Sequence, residues 1–245
     1  MGALFLDQMT WPEVKKEIEN GRETVVVCLG SHEQHGPHLP LGTDAFLGDA
    51  IGQALADRLD AFVAPTIRFG CSDHHLAFAG TISLGAETLK KVVADVVRSL
   101  SRHGFKKIIL IPTHGGNFRP LAEAVAGLEE EVRSRVLAYT DLMGLVAASA
   151  EQSARFGISK AQAGAHAGEW ETSLLLHLRP KLVHLDRAVE GFVGDFEEAL
   201  ARVLNDISEV DPQGVIGDPF PAKAEAGKTY LEATVDLILE KLEGR

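Results

Sequence analysis

The sequence has 245 residues, of which 45% are hydrophobic, so it can bury one sizeable core without needing a second domain. Its 24 basic and 35 acidic residues give a net charge of -11, which repels nucleic acid and anionic membrane surfaces. The apolar runs are far shorter than the roughly 20 residues of a membrane-spanning helix, and the first residues do not resemble a secretion signal. We therefore predict one domain over residues 1–245, a cytoplasmic location and a small-molecule substrate, with neither nucleic acid nor membrane as a partner.

Short β-branched segments alternate with longer amphipathic segments along the chain. This pattern predicts an α/β fold, a three-layer sandwich with a mostly parallel central sheet and helices on both faces. Thr10-Trp-Pro-Glu13 has the hydroxyl, the early proline and the carboxyl group that start a first helix. Strands are predicted at Thr24–Gly30, Ala61–Ile67, Lys107–Thr113 and Arg135–Thr140. Further helices are predicted at Asp44–Leu59, Ala86–Arg102, Phe118–Arg133, Glu169–Leu178, Phe192–Ser208 and Lys228–Leu242.

Two segments are predicted to be irregular. The stretch 211–227 is rich in Pro, Gly and Ala and sustains no period, so we predict an ordered surface loop. The stretch 143–164 has mixed polarity, and we predict that it is a loop facing the substrate.

A dense group of polar side chains follows the first predicted strand, in Ser31-His-Glu-Gln-His-Gly-Pro-His-Leu-Pro-Leu-Gly-Thr-Asp44. Ligands of open α/β sheets bind at the carboxyl ends of strands, so this segment is well placed to form a site. Glu33 and His35 are one residue apart, and in an extended segment they point to the same side, where each can bind one metal of a close pair. A polar turn with surface histidines is the alternative.

The third predicted strand is followed by a similar group, Pro112-Thr-His114-Gly-Gly-Asn-Phe-Arg119. His114 stands just past the strand end, and the two glycines let backbone N–H groups approach a ligand closely. A tight strand-to-helix turn is the alternative. The segment has neither a Walker lysine nor a GxGxxG pattern, which argues against a nucleotide site.

A third group, Gly164-Ala-His166-Ala-Gly-Glu169-Trp-Glu171-Thr-Ser173, leads into a predicted helix. His166 and Glu169 are three residues apart, the spacing of one helix face, and Glu171 is interpreted as pointing elsewhere. We therefore interpret Glu171 as a carboxylate favoured by the helix start. Trp170 is interpreted as lining the pocket, with ordinary packing as the alternative.

These three groups, together with His75-Leu-Ala-Phe-Ala-Gly-Thr-Ile-Ser83, resemble the creatininase (creatinine amidohydrolase) family in four motifs that occur in the family's order. The resemblance implies an α/β fold, a homo-hexamer and a binuclear metal site in each subunit. It also implies that Glu33 and His114 bind one metal, that His35 binds the other, and that Asp44 bridges the two.

One position departs from creatininase itself, which has a glutamate ligand where this chain has Gly116. Without it the second metal would keep only His35 and half of Asp44, too few ligands for a catalytic site. Glu169 can supply the missing carboxylate if the third group packs over the first, and branches of the family other than creatininase resemble this chain in their His-Ala-Gly-Glu sequence. We therefore predict that Glu169 binds the second metal.

The remaining candidates concern the reaction and the substrate. His166 matches a family histidine that is not a metal ligand, and we predict that it transfers a proton to the leaving nitrogen. The predicted substrate contacts are His75, Gly115, Gly116 and Trp170.

The predicted ligands are nitrogen and oxygen atoms without a thiolate, which suits two divalent ions of zinc or manganese and is compatible with iron. Two such ions lower the pKa of a bridging water to near neutrality and polarise a carbonyl. We therefore predict a binuclear amidohydrolase that uses a bridging hydroxide to cleave a C–N bond other than a peptide bond, in a creatinine-like cyclic amide or a formamide. The alternatives are a factor that cleaves a modified precursor peptide, and a metal-stabilised oligomer without catalysis. The glycine at position 116 argues against creatinine itself.

Overall fold

Two runs of consecutive apolar residues form the centre of a parallel sheet. The computed structural model describes residues 2–242 and 244, and in it Thr24–Leu29 pairs with Lys107–Pro112, with Val25 opposite Ile108. Both runs are buried along nearly their whole length. Such continuous apolar strands are typical of parallel sheets that helices cover on both faces.

Within the described residues, the sheet has five strands. They are β1 (Leu4–Phe5), β2 (Thr24–Leu29), β3 (Phe62–Val63), β4 (Lys107–Pro112) and β5 (Val136–Ala138). Their order is β1-β3-β2-β4-β5, and each neighbouring pair is parallel. The helices are α1 (Trp11–Glu19), α2 (Thr43–Leu59), α3 (Ala86–Arg102), α4 (Phe118–Ala126), α5 (Glu130–Arg133), α6 (Leu142–Ala154), α7 (Lys160–Ala163), α8 (Glu169–Leu178), α9 (Phe196–Asn205) and α10 (Ala224–Leu242).

The strands alternate their side chains between two cores. On one face Val26, Cys28 and the matching residues of β4 pack against α2, α8 and α10. On the other face Val25, Val27 and Leu29 pack against α3 and α4. The predicted three-layer α/β sandwich is therefore confirmed, with parallel pairing throughout the described sheet.

Three predicted elements differ from the structure for identifiable reasons. The strand predicted over Ala61–Ile67 is regular only in β3, because Pro65 has no N–H to donate to the neighbouring strand. Beyond the proline, the N–H of Ile67 again donates to the carbonyl of Cys28. The helix predicted over Phe118–Arg133 ends at Gly127 and restarts as the single turn α5. The segment 143–164 is mainly the helices α6 and α7 rather than a loop.

The segment 211–227 is not a surface loop. Val215 and Ile216 are buried, and Ile216 pairs with His166 in an antiparallel bridge. This segment therefore forms part of the support beneath the third sequence group. Among the described residues, no helix is both long enough and apolar enough to span a bilayer.

A glycine sets the distance between α8 and α10. A Cβ atom on Gly227 would lie 1.9 Å from the carbonyl oxygen of Ser173. Replacing glycine by alanine within a helix normally raises the free energy of unfolding by about 1 kcal/mol. Here the added methyl meets the backbone of the neighbouring helix, and overpacking of this kind costs about 1–3 kcal/mol.

We therefore expect Gly227→Ala to lower the free energy of unfolding, measured by urea denaturation. Glu225→Ala, at an exposed position of the same helix, serves as the control and should stay within about 0.5 kcal/mol of the wild type. A Gly227→Ala protein as stable as the control would contradict the close packing of α8 on α10.

Candidate metal centre

The first sequence group folds back onto the carboxyl end of β2. A Cβ on Gly30 would lie 2.8 Å from the Cα of Ala45, so only glycine lets α2 start this close to the strand. The backbone N–H of Glu33 donates to the carbonyl of Leu41 at 2.9 Å and closes the loop. As a result Asp44, in the first turn of α2, comes close to Glu33 although they are eleven positions apart.

Asp44 faces two different imidazoles with its two carboxylate oxygens. Its Oδ1 lies 3.2 Å from Nε2 of His35, and its Oδ2 lies 3.3 Å from Nδ1 of His114. The same His114 nitrogen is 3.2 Å from Oε1 of Glu33. The structure therefore brings together four of the predicted ligands, Glu33, His35, Asp44 and His114, with Asp44 in the central position.

The outer nitrogen of each imidazole is occupied by a backbone carbonyl. His35 Nδ1 lies 3.2 Å from the carbonyl oxygen of Glu33, and His114 Nε2 lies 2.9 Å from that of Cys71. A ring nitrogen that faces a carbonyl carries the proton, so each neutral ring turns an unprotonated nitrogen toward the carboxylates. Backbone contacts of this kind are those that orient histidine ligands in metal sites.

Buried charges in this cluster require compensation. Burial disfavours the charged form of His35, but the attraction of Asp44 outweighs it and raises the pKa of His35 to about 9. Burial is likewise outweighed at His114, where Glu33 and Asp44 hold the pKa well above its usual value. The carboxylates therefore favour positive charge at two positions, one beside His35 and one beside His114.

A cation at each position would supply that charge and leave the imidazoles neutral. Two further observations fit metal ions. Among residues 2–242 and 244, Glu33 Oε1 and Asp44 Oδ2 are buried and make no well-aligned hydrogen bond. The donor atoms are imidazole nitrogens and carboxylate oxygens, the set that zinc and manganese accept.

The carboxylate of α8 that lies beside His35 is Glu171, not Glu169. Oε2 of Glu171 lies 4.0 Å from Nε2 of His35, and Glu171, His35 and His166 form one group of candidate ligand atoms. Burial first of all, together with the nearby carboxylates, raises the pKa of Glu171 to about 7. A cation beside it would hold the group ionised.

Glu169, which we predicted as a ligand of the second metal, instead lies outside this cluster. Its Oε2 accepts a hydrogen bond from Ser153 at 2.7 Å, and its Oε1 accepts one from Ser173 at 2.7 Å and one from Tyr230 at 3.0 Å. The side chain is fully buried among these hydroxyls. Glu169 therefore joins α6, α8 and α10.

The difference between the predicted and the observed position of Glu169 comes from the residue at which α8 begins. We treated His166 and Glu169 as one helical turn, but α8 starts at Glu169, and Ala167 before it has a left-handed φ of 52°. In the helix, Glu169 and Ser173 share a face, and Glu171, two positions on, points to the opposite side. The pair Glu169 and Ser173 at four-residue spacing was the available signal.

Gly116 cannot be replaced by a ligand on this backbone. A Cβ there would lie 2.1 Å from the carbonyl oxygen of Cys71 and 2.6 Å from Nε2 of His114. The same carbonyl accepts the hydrogen bond that orients His114. The glycine thus allows the second motif to pack tightly, and neighbouring Gly115 has open space at its Cβ position.

Gln34, which we did not single out, fixes two more histidines. Its amide oxygen accepts from Gly36 N at 2.8 Å, and its amide nitrogen donates to the carbonyl of Gly214 at 3.1 Å and reaches His75 Nδ1 at 2.9 Å. His75 Nδ1 is therefore an acceptor, and its protonated Nε2 faces Glu33 Oε1 at 3.2 Å. In this orientation His75 turns an N–H toward the cluster, where it also forms a group of candidate ligand atoms with Glu33 and His166.

A hydrogen bond to Gln34 likewise orients His166. Its Nε2 lies 2.8 Å from the backbone carbonyl of Gln34, so this nitrogen carries the proton. The unprotonated Nδ1 faces the cluster, 3.8 Å from Glu33 Oε1. Burial, together with repulsion from a charged His35, lowers the pKa of His166 to about 3.

A cavity of about 90 Å³ adjoins the cluster. His166 and Glu171 line it on the cluster side, as do Gly115 and Trp170, two of the predicted substrate contacts. The indole N–H of Trp170 donates to Gln152 at 3.1 Å, which holds the ring in place.

A family model described as "Creatininase: Creatinine amidohydrolase" matches residues 7–242. The chain belongs to the creatininase family. Curated relatives include a mycofactocin precursor peptide peptidase of Mycobacterium ulcerans, 35% identical over 93% of this chain and 83% of its own length. They also include a creatinine amidohydrolase of Pseudomonas putida, 30% identical over 97% of this chain and 92% of its own length.

Solved creatininase structures share the fold. A glutamate-to-glutamine mutant of creatininase, of Zn-Zn type, aligns with a TM-score of 0.81 and 26% identity over 100% of this chain and 98% of its own. A structure described as creatininase with Mn aligns with a TM-score of 0.78 and 25% identity over 99% and 98%. These creatininases carry zinc or manganese, and this family member has a cluster of candidate ligands for such ions.

The two carboxylates of α8 can be compared as a matched pair. We expect Glu171→Gln to lower the bound zinc or manganese by about one ion per chain, because it removes the charge that faces His35. Glu169→Gln should keep the metal content of the wild type and instead lower the free energy of unfolding, by about 1–3 kcal/mol for a disturbed buried hydrogen-bond network. Elemental analysis and urea denaturation of both variants test this, and loss of metal in the Glu169 variant alone would reverse the assignment.

The two glycines of the second motif form another pair. Gly116→Ala should destabilise the fold by at least about 2 kcal/mol, because its methyl group meets the Cys71 carbonyl and the His114 ring. Gly115→Ala, with open space at the Cβ position, should stay within about 0.5 kcal/mol of the wild type. Thermal unfolding measured without added metal separates this packing effect from metal binding. An equal loss of stability in the two variants would contradict the close packing at Gly116.

Proposed function

We propose that this creatininase-family hydrolase cleaves an amide C–N bond with the help of two divalent cations. The observation that carries the proposal is the position of Asp44, whose two oxygens face different imidazoles. Glu33, Asp44 and His114 would hold one cation. His35, Asp44 and Glu171 would hold the other.

The bound cations would supply charge that lowers the pKa of a water molecule and polarises the amide carbonyl. The chain supplies the proton transfer. His166 is neutral, is held by Gln34 and turns the free Nδ1 toward the cluster, so it can accept a proton there. The same histidine, once protonated, can give that proton to the leaving nitrogen.

We propose a peptide-like substrate ahead of the small cyclic amide or formamide that the sequence first suggested. Support comes from the 35% identity with the mycofactocin precursor peptide peptidase, compared with 30% for the creatinine amidohydrolase. The glycine at position 116, where creatininase itself has a glutamate, also favours a substrate other than creatinine. The cavity beside the cluster, with its mainly apolar side chains, suits a side chain next to the bond that is cleaved.

A substrate screen tests both parts of this proposal. The zinc- or manganese-loaded protein should hydrolyse short peptides at least about 10-fold better than creatinine or formamides, a difference of ~1.4 kcal/mol in transition-state binding. EDTA should abolish the activity, and added metal should restore it. Faster hydrolysis of creatinine or a formamide than of peptides would favour a small-amide substrate instead. Absence of hydrolysis in every class would favour a non-catalytic role.

A further inference from the structure

Four residues with hydroxyl groups stand in the mainly apolar wall of the cavity beside the cluster, and two of them, Thr113 and Ser149, donate to backbone carbonyls. Its side chains come from α2, β4, α6 and α10 and include Ile51, Ile111, Leu145 and Ile238. Tyr139 and Thr234 line the same cavity. Each of these two residues is only 2% exposed.

Neither hydroxyl has a hydrogen-bond partner in the part of the chain that the structure describes. A buried hydroxyl without a partner is unfavourable, and most native proteins satisfy such groups. A threonine in a helix can bond to the carbonyl four residues earlier, but Thr234 in α10 does not do so. Tyr139 packs its ring edge-on against Phe118, which fixes the ring position and leaves the hydroxyl unpaired.

The size of the cavity limits what can satisfy these hydroxyls. At about 90 Å³ it exceeds the space of one water molecule, yet it is smaller than the roughly 150 Å³ of an apolar cavity that binds benzene. A short aliphatic group with a polar end fits this volume better than a six-membered ring does. A charged end is disfavoured, because it would lose its hydration against apolar walls.

We infer that this cavity is a substrate subsite for a short, uncharged aliphatic side chain with a hydrogen-bonding end, such as that of threonine. The hydroxyls of Tyr139 and Thr234 bind that end, and the cluster-facing side, with His166 and Glu171, holds the amide bond next to it. The inference rests on the proposed function for the orientation of the substrate. The cavity and its two unpaired hydroxyls are independent of that function.

The test uses two probes that differ only by a hydroxyl in place of a methyl, N-acetyl-threonine methylamide and N-acetyl-valine methylamide. Binding to the purified protein, with and without added zinc, is followed by the NMR signals of the Leu145 and Val146 methyl groups. We expect the threonine probe to bind about 10-fold more tightly than the valine probe, as one or two buried hydrogen bonds would give.

Two variants remove the hydroxyls with little change in shape. Tyr139→Phe and Thr234→Val should each weaken binding of the threonine probe about 5- to 10-fold, leave the valine probe unchanged, and not lower the melting temperature, since each removes an unpaired polar group. Tyr230→Phe is the control, because its hydroxyl already bonds to Glu169. It should lower the melting temperature and preserve the preference for threonine.

Equal binding of the two probes by the wild type, or an unchanged threonine preference in both variants, would overturn the subsite. Hydrolysis is followed in the same samples to separate the two proposals. A threonine preference without hydrolysis of any amide would leave the subsite standing and refute the proposed function. Hydrolysis of peptides without a threonine preference would support the proposed function and refute the subsite.

Discussion

The carboxylate of Asp44 is the group on which the rest of the site depends. It is buried in the first turn of α2, and its two oxygens face the imidazoles that follow β2 and β4. Its backbone carbonyl also accepts a hydrogen bond from Thr113 Oγ1 at 2.7 Å. Burying a carboxylate is unfavourable unless positive charge lies near it. The packing of α2 on the two strand ends buries Asp44, and the same packing therefore favours cations beside this carboxylate.

The backbone around Asp44 is adapted to this close packing. Gly30 leaves room for the start of α2. Asn117 donates to the carbonyls of Leu29 and Gly30 at 3.1 and 3.0 Å and accepts from the N–H of Cys71 at 3.0 Å. The Gly-Gly-Asn sequence thus has a structural role, since its asparagine links the ends of β2 and β4 to the loop that carries His75.

The sequence predicts the centre of the fold well because local pattern and burial agree there. The continuous apolar runs of β2 and β4 and the helix α3 lie at, or within one residue of, their predicted bounds. The four ligand candidates that follow β2 and β4 converge because the ends of parallel strands meet at one edge of the sheet. In contrast, α6 lacks a clear amphipathic pattern, and it was predicted as a loop.

The exchange of Glu169 for Glu171 shows where sequence reasoning ends. Which carboxylate reaches the cluster depends on the residue at which α8 begins, and that depends on the left-handed conformation of Ala167. Alanine seldom adopts this conformation, so no local rule predicts it. The roles of Gln34 and of the unpaired hydroxyls are likewise set by tertiary contacts between segments that are distant in the sequence.

The position of Glu171 on α8 connects the cluster with the cavity beside it. Two residues after the β4 histidine, the Cys71 carbonyl leaves no room for a side chain at Gly116. Glu171 stands on a helix whose other side is held by Glu169 through hydroxyls of α6 and α10. Those two helices also line the cavity. The position of Glu171 and the shape of the cavity are therefore set by the same helix contacts, so a substitution that moves α6 or α10 should change both.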